Sequence, residues 1–88
     1  MTIKVIIPAF NEEQSIGKVI AEIPEIVSEI IVVDNNSTDS TSEVAKDAGA
    51  TVLFEKRKGY GYACLKGMEY ISNLTTGNQP NIVVFLDG

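Results

Sequence analysis

Ile30, Ile31, Val32 and Val33 follow one another without a polar break, and Asp34 comes next. Four β-branched apolar residues in a row carry no period-two alternation, so a strand built from them must be covered on both faces. That requirement limits the chain to a sheet with helices on both sides. The polar run Asp34-Asn35-Asn36-Ser37-Thr38-Asp39 reads as a turn that opens a helix, with Ser40 and Glu43 spaced as a capping box. Asp34 is therefore expected at the carboxyl end of a buried strand, facing the crevice where open α/β sheets bind ligands.

The rest of the chain repeats this plan. Ile3–Ile7 is a first strand, ended by Pro8, which cannot donate to a central ladder. Ala9, Phe10 and Asn11 form a loop, and Asn11 with Gln14 has the spacing of a helix cap. Ile16, Val19, Ile20 and Ile23 recur at helical spacing until Pro24 stops them. Glu29–Val33 is the second strand and Ser40–Ala48 the second helix, closed by Gly49. Ala50–Phe54 is a third strand and Glu55–Gly61 a charged, glycine-bearing loop. A third helix runs from about Gly61 to Ser72, with Cys64, Met68 and Ile71 on one stripe. Ile82–Leu86 is a fourth buried strand, and Asp87-Gly88 follows. This β-α-β-α-β-α-β order, with right-handed crossovers, predicts a Rossmann-like open parallel sheet of order 3-2-1-4, with helices on both faces. Its switch point lies between the first and fourth strands.

Composition narrows the function classes. With 88 residues the chain is one small domain or part of one, and 44% hydrophobic against 22% charged content makes it globular. A net charge of −5 argues against general nucleic-acid binding, although Lys56, Arg57 and Lys58 concentrate three of the seven positive charges. One cysteine and no histidine exclude an internal disulfide and the usual Cys/His zinc site, which fits a reducing, cytoplasmic setting. No apolar run has the length of a membrane span, and no signal-peptide pattern precedes the first strand.

All four strand-end loops should open on one edge. Arg57-Lys58-Gly59-Tyr60-Gly61 suits a diphosphate: cations neutralise it, glycines permit close backbone approach, and a helix start follows. The spacing is not the dinucleotide fingerprint, since Cys64 stands where its third glycine belongs, which disfavours an NAD-dependent oxidoreductase. A receiver-type signalling domain is disfavoured as well, because the third strand leads into Glu55-Lys56-Arg57 rather than an acceptor Asp. Asp87 could hold a hard divalent cation that bridges phosphate oxygens, and a second ligand would be expected two residues further on. Asp34 and Asn35 offer the groups that select a nucleobase, whereas Asp39 is assigned to the turn. Tyr60 and Tyr62 could stack on a ring or simply pack.

Taken together, IIPAFNEE at Ile6–Glu13, VVDNNSTDST at Val32–Thr41, RKGYGYACLKG at Arg57–Gly67 and FLDG at Phe85–Gly88 resemble the family 2 glycosyltransferases of the GT-A nucleotide-sugar fold. The resemblance covers essentially the whole chain. It implies sugar transfer from a UDP- or GDP-linked sugar with Mg²⁺ or Mn²⁺, and it makes residues 1–88 the N-terminal, donor-binding part of such an enzyme. By position, Pro8, Ala9, Phe10 and Glu12 look like the loop around the nucleoside, and Asp34 like the base-contacting acid. Lys58 and Gly59 look like the diphosphate loop. Asp87 looks like the first carboxylate of an Asp-x-Asp metal motif. Asn35 stands where many members have a second acid.

The overall style is similar to members acting on polyprenyl phosphates, which work at the cytoplasmic face of a membrane. No residue is assigned as catalytic, transfer by this chain alone is expected to be negligible, and unpaired apolar surface predicts self-association. The rival reading is a stand-alone nucleotide-binding or regulatory module.

Overall fold

The computed structural model describes residues 1–87. Its elements are β1 (Ile3–Ala9), α1 (Ile16–Ala21), β2 (Glu29–Asp34), α2 (Thr41–Asp47), β3 (Thr51–Phe54), α3 (Tyr60–Ser72), a 3₁₀ turn at Thr76–Asn78, and β4 (Ile82–Phe85). The four strands form one parallel sheet in the order β3-β2-β1-β4, as the alternation of elements predicts.

The unbroken run in β2 is explained by the two cores it feeds. Val32 joins Val5, Ile7, Ala9, Ile16, Ile20, Ala45 and Ala50 on the α1/α2 face. Ile31 and Val33 join Ile6, Ala63 and Ile71 on the α3 face. Because successive side chains of a strand point to opposite faces, a strand buried on both sides has no polar position to spare. Gly49 closes α2 as expected: it takes φ of 100°, its N–H donates to the Lys46 carbonyl, and Ala50 N–H donates to the Ala45 carbonyl.

Several boundaries differ from the sequence reading. Pro8 does not end β1. It lies inside the strand, in register with Val33, and Ala9 pairs with Asp34. Ile6 accepts the Leu86 N–H at 3.0 Å, so Pro8, two residues on, turns its missing N–H to that same β4 side. The ladder with β2 is undisturbed, while pairing with β4 stops at Phe85. The first helix starts at Ile16 rather than just after Asn11, whose φ is 51°.

The third helix buries Ala63, Gly67 and Ile71, not Cys64 and Met68. A Cβ on Gly67 would come within 2.8 Å of Ile6 Cγ2, so the small residues mark where α3 approaches the sheet most closely. The fourth strand is not buried. It has one neighbouring strand, and Ile82 and Phe85 are 40% and 41% exposed.

Candidate functional site

The loops after β1 and β2 are laced together by side chains that bond to backbone. Asn11 does not cap a helix. Its Oδ1 accepts the Thr38 N–H at 2.8 Å, and its own N–H donates to Ser37 Oγ at 2.9 Å. Glu12 N–H donates to the buried Thr41 hydroxyl at 2.8 Å. Ser40 makes no side-chain capping bond. Asp39 does that work: it accepts the Thr41 N–H at 2.9 Å, the Thr41 hydroxyl, and the Glu13 N–H at 3.3 Å. The Thr41 hydroxyl first, and these N–H groups after it, hold the Asp39 carboxyl below its ordinary range. Its assignment to the turn holds.

Asp34 is placed differently from expectation. It is 5% exposed, and its carboxylate turns beneath the loop instead of into the crevice. One oxygen accepts the Ser37 N–H at 2.9 Å and the other the Ser42 hydroxyl. A carboxylate this buried must be partnered inside the protein, and α2 supplies the hydroxyl. Asn35, 8% exposed, reaches the other way, to the loop after β3. Its Nδ2 donates to the carbonyls of Glu55 (3.0 Å) and Arg57 (2.7 Å), and its Oδ1 accepts the Gly59 N–H at 2.9 Å.

The basic run divides. Arg57 folds back on Glu55, with Nε and Nη2 at 2.9 and 3.0 Å from the two carboxylate oxygens, and Arg57 N–H donates to the same carboxylate at 2.9 Å. The guanidinium, with the Arg57 backbone N–H, holds the Glu55 carboxyl down at about 2. Arg57 also lies 4.4 Å from the Tyr62 ring centroid, so its charge is already engaged. Lys58 points the other way. Its ammonium sits 4.5 Å from the centroid of the Phe10 ring.

Pro8, Ala9, Phe10, Glu12, Asn35, Tyr60 and Asp87 line a cleft of about 280 Å³ at the carboxyl edge of the sheet. Beside it Lys58, Gly59, Gly61, Tyr62 and Leu65 line a shallower groove. The predicted site residues are thus brought together on one edge, with Asp34 as the exception that supports from below. Tyr60 joins the cleft wall. The sequence left Tyr60 open between stacking on a ring and packing, and it stands at the first turn of α3, one residue past Gly59. The Cys64 thiol first, then burial and Asp87, push the Tyr60 phenol above its ordinary value, so it remains a neutral hydroxyl in the cleft. Among the described residues, no three His, Cys, Asp or Glu side chains form a metal cage. Asp87 offers one exposed hard oxygen ligand just past β4, which suits Mg²⁺ or Mn²⁺ when phosphate oxygens and water complete the shell.

Residues 4–88 match the family model described as glycosyl transferase family 2. The chain is 38% identical over 96 residues to an uncharacterized glycosyltransferase of Mycobacterium tuberculosis, covering 97% of this chain and 44% of that protein. It is 42% identical over 62 residues to a dolichyl-phosphate hexose transferase of Haloferax volcanii, covering 67% and 27%. Among solved structures it is similar to glucosyl-3-phosphoglycerate synthase from Mycobacterium tuberculosis in complex with Mn²⁺, UDP and glucosyl-3-phosphoglycerate. That match has a TM-score of 0.78 at 35% identity, and covers 98% of this chain and 33% of that one. The same enzyme has been solved with Mg²⁺ and UDP. The chain therefore spans less than half the length of these relatives.

Proposed function

The chain belongs to glycosyl transferase family 2, and from that membership we propose that it binds the nucleoside diphosphate sugar, a UDP-sugar, for transfer to an acceptor. The observation that carries the reading is the cleft, which gathers Pro8 and Ala9 from the end of β1 and Phe10, Glu12 and Asn35 from the loops after β1 and β2, beside the Lys58-Gly59 turn. Its volume of about 280 Å³ lies just below the roughly 300–1,000 Å³ of ligand sites. In this reading the nucleoside lies between the Pro8–Glu12 loop and Tyr60. The diphosphate faces Lys58, the Gly59 backbone and the start of α3, where cation, close approach and helix dipole all favour phosphate.

Glu12 is the acid the cleft presents to the nucleoside, and Asp34 holds the loop from beneath. Asp87 holds Mg²⁺ or Mn²⁺, which when bound supplies positive charge to the phosphate oxygens. The preference for UDP is supported by the UDP complexes of the structural neighbour. A polyprenyl phosphate acceptor is supported by the similarity to the dolichyl-phosphate hexose transferase of Haloferax volcanii. In the full reaction an acceptor oxygen attacks the anomeric carbon as the bond to the nucleoside diphosphate breaks.

Calorimetric titration with UDP and GDP, each with and without Mn²⁺, tests this. The expected result is UDP binding that strengthens with Mn²⁺, with the metal effect lost in Asp87→Ala. A folded chain indifferent to both nucleotides would overturn the donor-site reading.

A further inference from the structure

Asn35 was expected to touch a ligand, but both polar hydrogens of its side chain and one of the two lone pairs of its oxygen are already used. The amide spends both N–H donors on the Glu55 and Arg57 carbonyls and its oxygen on the Gly59 N–H. Only one orientation of the amide works. Flipped, it would set its oxygen against two carbonyls and its NH₂ against an N–H. The three partners span the turn that delivers Lys58 to Phe10 and sets Gly59 at φ 134°, ψ 139° as the residue before α3.

Resting on the donor-site reading above, we propose that Asn35 is a positioning residue that shapes the Glu55–Gly59 turn for the diphosphate. Carboxylate at this position is the wrong chemistry for the task. It would still accept the Gly59 N–H, but it has no donor for either carbonyl and would face both with negative charge. The residue therefore governs affinity for the phosphates chiefly through the backbone of the turn.

The test compares UDP with uridine, titrated by NMR chemical shift into the wild type, Asn35→Asp and Asn35→Ala. Asn35→Asp is expected to weaken UDP binding by about tenfold or more, and uridine binding by a several-fold smaller factor. Equal losses for UDP and uridine would overturn the proposal, because they would mean that Asn35 acts through the nucleoside cleft and not through the turn. Unchanged UDP affinity would overturn it as well.

Amide exchange without ligand provides a second measurement. The Gly59 amide, and its neighbours in the turn, should lose protection in Asn35→Ala while β1 and β2 amides keep theirs. Retained protection of Gly59 would sink the proposal. If the wild type bound neither ligand, the donor-site reading would fail, and the exchange result would still decide whether Asn35 holds the turn.

Discussion

The cleft has two sides that are built differently. The loops after β1 and β2 share a lacing in which Asn11, Ser37, Asp39 and Thr41 each bond across from one loop to the other, over a base made by Asp34, Ser37 and Ser42. The loop after β3 has no such redundancy. Beyond Glu55, among the described residues, its backbone is tied to the sheet through one side chain, Asn35, and braced internally by the Glu55–Arg57 pair. The laced side holds the wall that would face a nucleoside. The singly held side carries the lysine and glycine that would face phosphate. A rigid wall suits recognition of a fixed ring, whereas a turn held at one point can adjust to a flexible diphosphate.

The largest expected effect comes from breaking the base of the laced side. Asp34→Ala leaves the Ser42 hydroxyl and the Ser37 N–H without their acceptor, and should lower stability by about 2–3 kcal/mol. Urea unfolding should show this as a lower midpoint at unchanged slope. Asp34→Asn keeps an acceptor for Ser37 and a partner for Ser42, and should cost less than half as much. Equal midpoints for Asp34→Ala and wild type would mean that the lacing does not depend on its base.

The contrast between the two sides also marks what the sequence made legible. The strands and their order followed from local signals: β-branched runs between helical stripes leave one economical parallel topology. Convergence of the four loops on one edge came with that topology. Other features depended on partners distant in sequence. Pro8 is tolerated inside β1 only because its missing N–H faces the side where β4 has ended. The stripe of α3 was misread because close approach to Ile6 selects Ala63 and Gly67, which hydrophobicity alone does not flag. The exposure of β4 depends on what flanks it, which its own residues do not encode. Asp34 and Asn35 are adjacent and alike in composition, yet one turns to Ser42 on α2 and the other to carbonyls 20 and 22 residues on. Their residue types announced a site, but only the fold shows which groups each one bonds.

A smaller effect is expected from the turn itself. Gly59 takes a φ of 134°, a region that L-residues with a Cβ rarely adopt, although a Cβ there would meet Tyr62 at an ordinary 3.5 Å. The cost of Gly59→Ala is therefore backbone strain of roughly 1–2 kcal/mol rather than a clash. Because the singly held turn can relax, most of that strain should appear as lost amide protection between Lys56 and Gly61, with a small shift in global midpoint. A loss spread evenly over β1 and β2 would show that the two sides are coupled and erase the contrast.

The smallest effect is set by pH and bears on the brace within the turn. Glu55 has its carboxyl held at about 2 against an ordinary 4.5 by Arg57. A lowered folded value means that the contribution is fully present above about 4.5 and is lost as pH falls toward 2. As pH approaches about 2, where the folded carboxyl takes up its proton, the Arg57 amide should lose protection. Asp39 is shifted in the same direction, but its loop has other bonds to hold it. The turn should therefore loosen first, before the Thr38 amide on the laced side. In Glu55→Gln the side-chain oxygen still accepts the Arg57 N–H but no longer titrates, so the acid-dependent loss at Arg57 should vanish. If the variant kept the wild-type pH profile, another group would have to be titrating, and Arg57 would not be held away from the phosphate side by Glu55. Loss of the brace in acid also frees a guanidinium beside Lys58, so acid should loosen the turn while raising its positive charge, two effects with opposite consequences for a bound diphosphate.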